Sequence, residues 1–144
     1  MKIPLAIQNC AGWIKPFLFG VIRQTQFRVF GRIRLFIDTG SPWSTISERD
    51  SKRWRLSYER LGTPKIFQGI SGGSISGSPL QNITLSVKDV ENNLVTLSLS
   101  KIYLLKGKVS ETLPNILGED FLTENRFRFC YTPCEKVAYL EKVE

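Results

Sequence analysis

The chain has 144 residues, of which 42% are hydrophobic, and its 20 basic and 13 acidic residues give a net charge of +7. Because this length buries one core and little more, we expect a single domain over residues 1–144. The sequence contains no histidine, which excludes Ser-His and Cys-His catalysis and most zinc sites.

The N-terminal part of the chain contains an apolar run that Gln8 and Asn9 interrupt and that Lys15 follows. The run is too short and too polar to span a bilayer, and no small-residue cleavage signature follows it. We therefore expect no membrane partner.

Most of the chain shows short alternations of apolar and polar residues, which are typical of half-buried antiparallel strands. The predicted strands are 27–29, 33–38, 66–70, 83–87, 94–99, 102–105, 126–131 and 136–140. Two short helices are predicted, at 47–54, where Ser47 and Asp50 resemble a capping box, and at 119–124, which begins with two acidic residues. Repeated short strands with turn signals indicate a closed all-β domain.

The strand at 33–38 delivers a carboxylate into a glycine turn with the sequence Asp38-Thr39-Gly40-Ser41. An Asp at the end of an apolar strand is partly desolvated, which is the environment that an acid/base group requires. The glycine lets the backbone turn sharply behind the carboxylate. The plainer alternative is an Asp that caps a strand-end turn.

Two later segments accompany this motif. Residues 66–80 have the sequence IFQGISGGSISGSPL, which suits either a mobile hairpin that approaches a peptide backbone closely or a flexible surface loop. Residues 113–122 have the sequence LPNILGEDFL, in which a short apolar strand precedes a glycine and a helix start.

These motifs together resemble the retropepsin-like, or retroviral-type, aspartic proteases over roughly residues 26–140. The resemblance implies a closed acid-protease-type β-barrel with a flap hairpin, and it leaves residues 1–25 as an additional strand or an arm that contacts a dimer partner. Retroviral enzymes commonly have Asp and Arg at the positions of Pro42 and Glu119. The chain therefore looks more like the cellular and prokaryotic single-domain members of the group than the viral ones.

The resemblance also assigns roles to individual residues. It makes Asp38 catalytic, with Thr39 bonding across a dimer, Gly40 in the turn, and Ser41 donating its hydroxyl to the Asp38 carboxylate. The flap that closes over a bound peptide is assigned to Gly69, Ile70, Ser71, Gly72 and Gly73. The strand beside the catalytic loop is assigned to Ile116 and Leu117, and the close backbone approach behind it to Gly118.

The number of aspartates bears on the oligomeric state. The chain has four, at 38, 50, 89 and 120, and only Asp38 is followed by Thr-Gly or Ser-Gly. A second catalytic Asp must therefore come from a second copy, with the site on the two-fold axis of a homodimer, and a monomer should be inactive. Two such carboxylates share one proton, and hydrolysis of a peptide or protein substrate by water then needs no metal or cofactor.

Three cysteines, an odd number, favour reduced thiols and a cytoplasmic location. Cys130 and Cys134 flank a Tyr-Thr-Pro turn, and a disulfide between them is the less favoured alternative. Trp43, Trp54 and Phe67 are interpreted as core residues in preference to pocket residues.

The positive charge raises a competing hypothesis, a small basic β-barrel that binds nucleic acid. Arginines interleave with phenylalanines at 27–36 and 126–129, and such pairs stack bases and contact phosphates. The same alternation arises when one strand face packs and the other is solvated, and this plainer interpretation makes nucleic acid an unlikely partner. A third hypothesis is a catalytically silent dimeric domain that binds peptides, against which the intact Asp-Thr-Gly-Ser argues.

Overall fold

A computed structural model of the chain describes residues 1–10, 12–70 and 73–144. The two helices of this part of the chain are α1 (Glu48–Ser51) and α2 (Glu119–Glu124). Its strands are β1 (Lys2–Pro4), β2 (Ala6–Cys10), β3 (Trp13–Gln24), β4 (Val29–Ile37), β5 (Thr45–Ile46), β6 (Lys65–Ile70), β7 (Gly73–Lys88), β8 (Leu94–Lys106), β9 (Ile116–Leu117), β10 (Phe127–Thr132) and β11 (Val137–Lys142). The predicted all-β class is confirmed, as is the second predicted helix.

The strands form two sheets. The larger has eight strands in the order β2-β3-β4-β9-β5-β8-β7-β6, and the smaller has three in the order β1-β11-β10. β3 pairs with both β4 and β7, so the larger sheet curls back on itself. Two of its pairings, β4 with β9 and β5 with β8, are parallel. The antiparallel hairpins thus enclose a small parallel region at the end of β4.

The core lies inside the curled sheet and follows the alternation of the sequence. In β8, Leu97 and Leu99 are buried, whereas Ser98 and Ser100 are exposed. Ile102 and the three residues after it are then buried without interruption. The two strands predicted at 94–99 and 102–105 are one continuous strand, because β7 pairs with β8 along almost its whole length.

Two local predictions are wrong. The strand predicted at 27–29 is mostly turn, since Arg28 adopts a left-handed backbone with φ of 57° and β4 begins at Val29. The helix predicted at 47–54 ends at Ser51 and continues as a 3-10 turn. Its capping box does not form: the Ser47 hydroxyl has no hydrogen-bond partner among the described residues, and the Asp50 carboxylate accepts from Asn115 Nδ2.

The N-terminal residues contribute to both sheets. β1 pairs with β11 in the smaller sheet, and β3 lies between β4 and β7 in the larger one. Phe17, Leu18 and Ile22 of β3 are fully buried. The segment predicted as an extension therefore supplies a central strand of the core.

None of the helices in the described ranges has the length and apolar character needed to cross a membrane.

Candidate active site

The backbone of Asp38 is held where β4 runs parallel to β9. Phe36 N–H donates to the Asn115 carbonyl at 2.7 Å, and Asp38 N–H donates to the Leu117 carbonyl at 3.0 Å. These bonds continue the β4–β9 pairing one residue beyond the end of β4. The two sequence motifs, almost eighty residues apart in the chain, are therefore neighbours in the fold.

The Asp38 side chain is half-buried, and one of its oxygens is fixed by its own loop. Gly40 N–H donates to Asp38 Oδ1 at 3.0 Å, and Ser41 N–H donates to the Asp38 carbonyl at 3.2 Å. Within the described residues no group donates a hydrogen bond to Asp38 Oδ2. The loop thus holds one carboxylate oxygen in place, while the other oxygen is able to accept a hydrogen bond from an incoming molecule.

The loop residues Thr39 and Ser41 differ in their contacts. The Ser41 hydroxyl donates to the Trp43 carbonyl at 2.7 Å, so the predicted hydrogen bond from Ser41 to the Asp38 carboxylate is wrong. The turn after Gly40 places this hydroxyl closer to the following loop carbonyl than to the carboxylate. Thr39 is exposed, and its hydroxyl has no hydrogen-bond partner within the ranges that the structure covers.

Gly118 brings the second motif against the Asp38 loop. Glu119 N–H donates to the Ser41 carbonyl at 2.8 Å. A Cβ atom at Gly118 would lie 2.5 Å from the Ser41 carbonyl oxygen and 2.9 Å from the Trp43 carbonyl oxygen. The backbone approach that the sequence motif indicated is therefore so close that only glycine fits there.

Ser44 and Asp120 join the same two segments by hydrogen bonds that no sequence motif predicts. Fully buried Ser44 donates from its hydroxyl to Asp120 Oδ1 at 2.6 Å and from its N–H to Asp120 Oδ2 at 2.9 Å. The Ser44 hydroxyl also accepts from Gly118 N–H at 3.0 Å. In a chain that has Pro42 and Glu119 in place of the retroviral Asp and Arg, this network ties the two motifs within a single chain.

This network predicts energetic coupling between Ser44 and Asp120. Replacing either residue by Ala should lower the free energy of unfolding by about 2 kcal/mol, because a buried charge-assisted hydrogen bond is lost. The double variant should be less destabilised than the sum of the two, with a coupling energy of at least about 1 kcal/mol. Urea unfolding of the wild type, the two single variants and the double variant measures this coupling energy. Additive effects of the two substitutions would contradict the network.

The Asp38 loop opens into a cavity of about 500 Å³. Its lining comes from the loop after β4, from β6, and from β8 and β9, and includes Asp38, Ser41, Trp43, Lys65, Phe67 and Ile116. Trp43 and Phe67 therefore line the cavity, contrary to their interpretation as core residues. Trp54 does pack against the core. The sequence could not separate these aromatics, because Trp43 and Trp54 follow polar or turn residues with no clear period and the alternation around Phe67 does not tell which face of its strand is buried.

The β6–β7 hairpin borders this cavity. Phe67 pairs with Ile75 and Ile70 with Gly73, with a register shift between Gln68 and Ile70. Of the five residues predicted as a flap, Gly69 and Ile70 end β6, Gly73 begins β7, and Ser71 and Gly72 lie outside the described residues.

The basic residues of β4 make contacts within the chain. The Arg34 guanidinium lies 4.2 Å from the centre of the Phe17 ring, and Arg34 Nη1 donates to Gln8 Oε1 at 2.9 Å. In β10, Phe127 is buried and Arg128 is exposed. These contacts favour the plainer interpretation of the Arg-Phe alternation, in which one strand face packs and the other is solvated.

Cys10, Cys130 and Cys134 are all free thiols.

No protein-family model matches the chain, and no curated protein matches it by sequence. Among solved structures, the chain is similar to the crystal structure of a retropepsin-like aspartic protease from Rickettsia conorii. The match has 17% sequence identity and a TM-score of 0.61, and it covers 99% of this chain and 91% of that one. The path of the strands, the Asp38 loop beside β9 and this structural similarity together show that the chain has the retropepsin-like fold.

Proposed function

We propose that the chain is an aspartic endopeptidase that acts as a homodimer, with one Asp38 from each subunit. The observation that carries the proposal is the Asp38 carboxylate, which has one oxygen anchored by Gly40 N–H and lines a cavity beside a β-hairpin. A cavity of about 500 Å³ accommodates side chains of a bound peptide. The protein of similar structure is itself described as an aspartic protease.

The need for two subunits follows from the number of carboxylates. Asp38 is the only acidic residue among the described residues that line the cavity. General acid/base hydrolysis of a peptide requires one group to remove a proton and another to supply one. A second Asp38 across a two-fold axis would supply the missing group, and Thr39, exposed at the same loop, would bond across that axis.

In the proposed reaction the two carboxylates share one proton. The ionised Asp38 takes a proton from water as the water oxygen bonds to the scissile carbonyl carbon. The protonated Asp38 gives its proton to the carbonyl oxygen. The C–N bond then breaks as the first Asp38 passes the proton it took from water to the leaving nitrogen, and the second Asp38 takes back a hydroxyl proton as the carbonyl reforms. The residues at 69–73 would close over the peptide as a flap.

Three free thiols fit a reducing compartment, and we propose the cytoplasm as the location of the protein.

Hydrolysis of a denatured protein between about pH 4 and 7 tests this function. We expect cleavage that a statine-type inhibitor blocks and whose specific activity rises with enzyme concentration, because dilution separates the subunits. The oligomeric state at each concentration is followed by light scattering. A folded dimer that cleaves nothing at any pH contradicts the proposal. Peptide binding without turnover would then favour the catalytically silent peptide-binding domain. A salt-sensitive shift in electrophoretic mobility with single-stranded nucleic acid would favour the basic β-barrel.

A further inference from the structure

The cavity beside Asp38 contains one basic residue, Lys65, among its described lining residues. Lys65 lies at the start of β6, and its Nζ is 3.9 Å from the centre of the Trp43 ring. This is within the range of a cation–π interaction. The aromatic face therefore positions the ammonium group of Lys65 at the wall of the cavity.

No described residue balances the charge of Lys65 with an ion pair. The ion pairs of the described residues join Arg49 with Asp50 and Lys52 with Glu111, so no carboxylate lies within 4 Å of Lys65 Nζ. This holds for Asp38 too, although both residues line the cavity. Lys65 is a half-buried residue, and an ammonium group at a cavity wall with an aromatic neighbour and no counter-ion favours an anion supplied by a ligand.

A second lysine adds to the positive potential. Lys101 Nζ lies 5.7 Å from the Trp43 ring centre and 5.4 Å from the Tyr103 ring centre. Lys65 Nζ approaches the same two rings. Two positive charges thus lie near the same pair of aromatic rings. A carboxylate of the substrate bound beside these rings would reduce the repulsion between the two ammonium groups. Phe67 and Trp43 offer apolar contact to the stem of the side chain that carries the anion.

We infer that Lys65 and Trp43 form a substrate subsite that selects an acidic side chain, glutamate or aspartate, near the scissile bond. The inference rests on the proposed peptidase function, because it supplies the substrate class of that site. The Lys65 ammonium group binds the carboxylate of the substrate, while the Trp43 ring orients the ammonium group. Lys65 is a specificity-determining residue and takes no part in proton transfer.

The test uses a set of short peptides with an apolar central pair, in which one glutamate or its glutamine counterpart occupies each position in turn. At about pH 6 glutamate is ionised, and at one position kcat/KM should be about five- to tenfold higher for the glutamate peptide. Lys65→Gln should remove this preference, Lys65→Arg should retain most of it, and added salt should weaken it. Lys88→Gln, an exposed lysine at the far end of β7, should leave it unchanged.

Binding separates the failure of this inference from the failure of the proposed function. The same peptides, labelled with a fluorophore, are titrated against Asp38→Asn and against Asp38→Asn combined with Lys65→Gln. A glutamate preference in binding that requires Lys65 supports the subsite even when no peptide is cleaved by the wild type. Cleavage that requires Asp38 but shows no difference between glutamate and glutamine at any position overturns the subsite and leaves the peptidase function intact.

Discussion

Replacing Asp38 by Asn is expected to lower peptide hydrolysis by at least about a thousandfold, because the variant loses the group that exchanges protons with water and substrate. The fold should survive the change. An Asn at this position keeps an oxygen that accepts the hydrogen bond from Gly40 N–H, and the backbone bond to Leu117 does not involve the side chain. The free energy of unfolding should therefore stay within about 0.5 kcal/mol of the wild-type value.

Asp89→Asn is the matched control for charge and residue type. Asp89 lies in the exposed turn between β7 and β8, where the hydrogen bond from Asn93 N–H holds the pKa of its carboxyl below the usual range. An Asn keeps the accepting oxygen, and activity should be unchanged. Activity of Asp38→Asn above about a tenth of wild type would rule out Asp38 as the proton-transfer group.

Mixing the wild type with Asp38→Asn extends the prediction for Asp38 to the proposed dimer. When wild type is mixed with an excess of Asp38→Asn and allowed to exchange subunits, most wild-type chains should pair with an inactive partner. Activity per wild-type chain should then fall nearly in proportion to the fraction of mixed dimers, because each site requires both carboxylates. Activity that stays constant in the mixture, with subunit exchange shown by mass spectrometry, would contradict a site shared between subunits.

The features that sequence could predict are those encoded within a few neighbouring residues. The strand that leads into Asp38, the turn at Gly40 and the helix at 119–124 all have local signals, and the structure contains all three. The closeness of the two motifs came from the resemblance and agrees with the β4–β9 pairing.

The features that could not be predicted depend on contacts between distant residues. The bond from Ser44 to Asp120 spans 76 residues, whereas the local sequence around Asp120 indicates only an acidic residue in the first turn of a helix. The same limit explains Asp50, whose carboxylate bonds Asn115 instead of capping α1. Short polar side chains have several local partners of similar energy, so the tertiary fold decides which one is used.

Gly118→Ala is the second change with a large expected effect, and it tests how the two motifs are joined. The added methyl group would overlap the Ser41 and Trp43 carbonyl oxygens, and backbone atoms cannot move aside as a flexible side chain does. The Asp38 loop would have to shift away from β9, losing the bond between Glu119 N–H and the Ser41 carbonyl. We expect a loss of at least about 2 kcal/mol in the free energy of unfolding.

The same shift should remove most of the peptidase activity, because a displacement of about 1 Å at a catalytic group costs on the order of a hundredfold in rate. Urea unfolding and peptide hydrolysis are measured on the same preparation, at a temperature where the variant remains folded. Gly73→Ala is the control for stability alone and not for activity, since a Cβ there meets no atom within 4 Å and the free energy of unfolding should not fall. A Gly118→Ala protein as stable and active as wild type would show that the loop and the second motif are not held in the close contact on which the geometry of Asp38 depends.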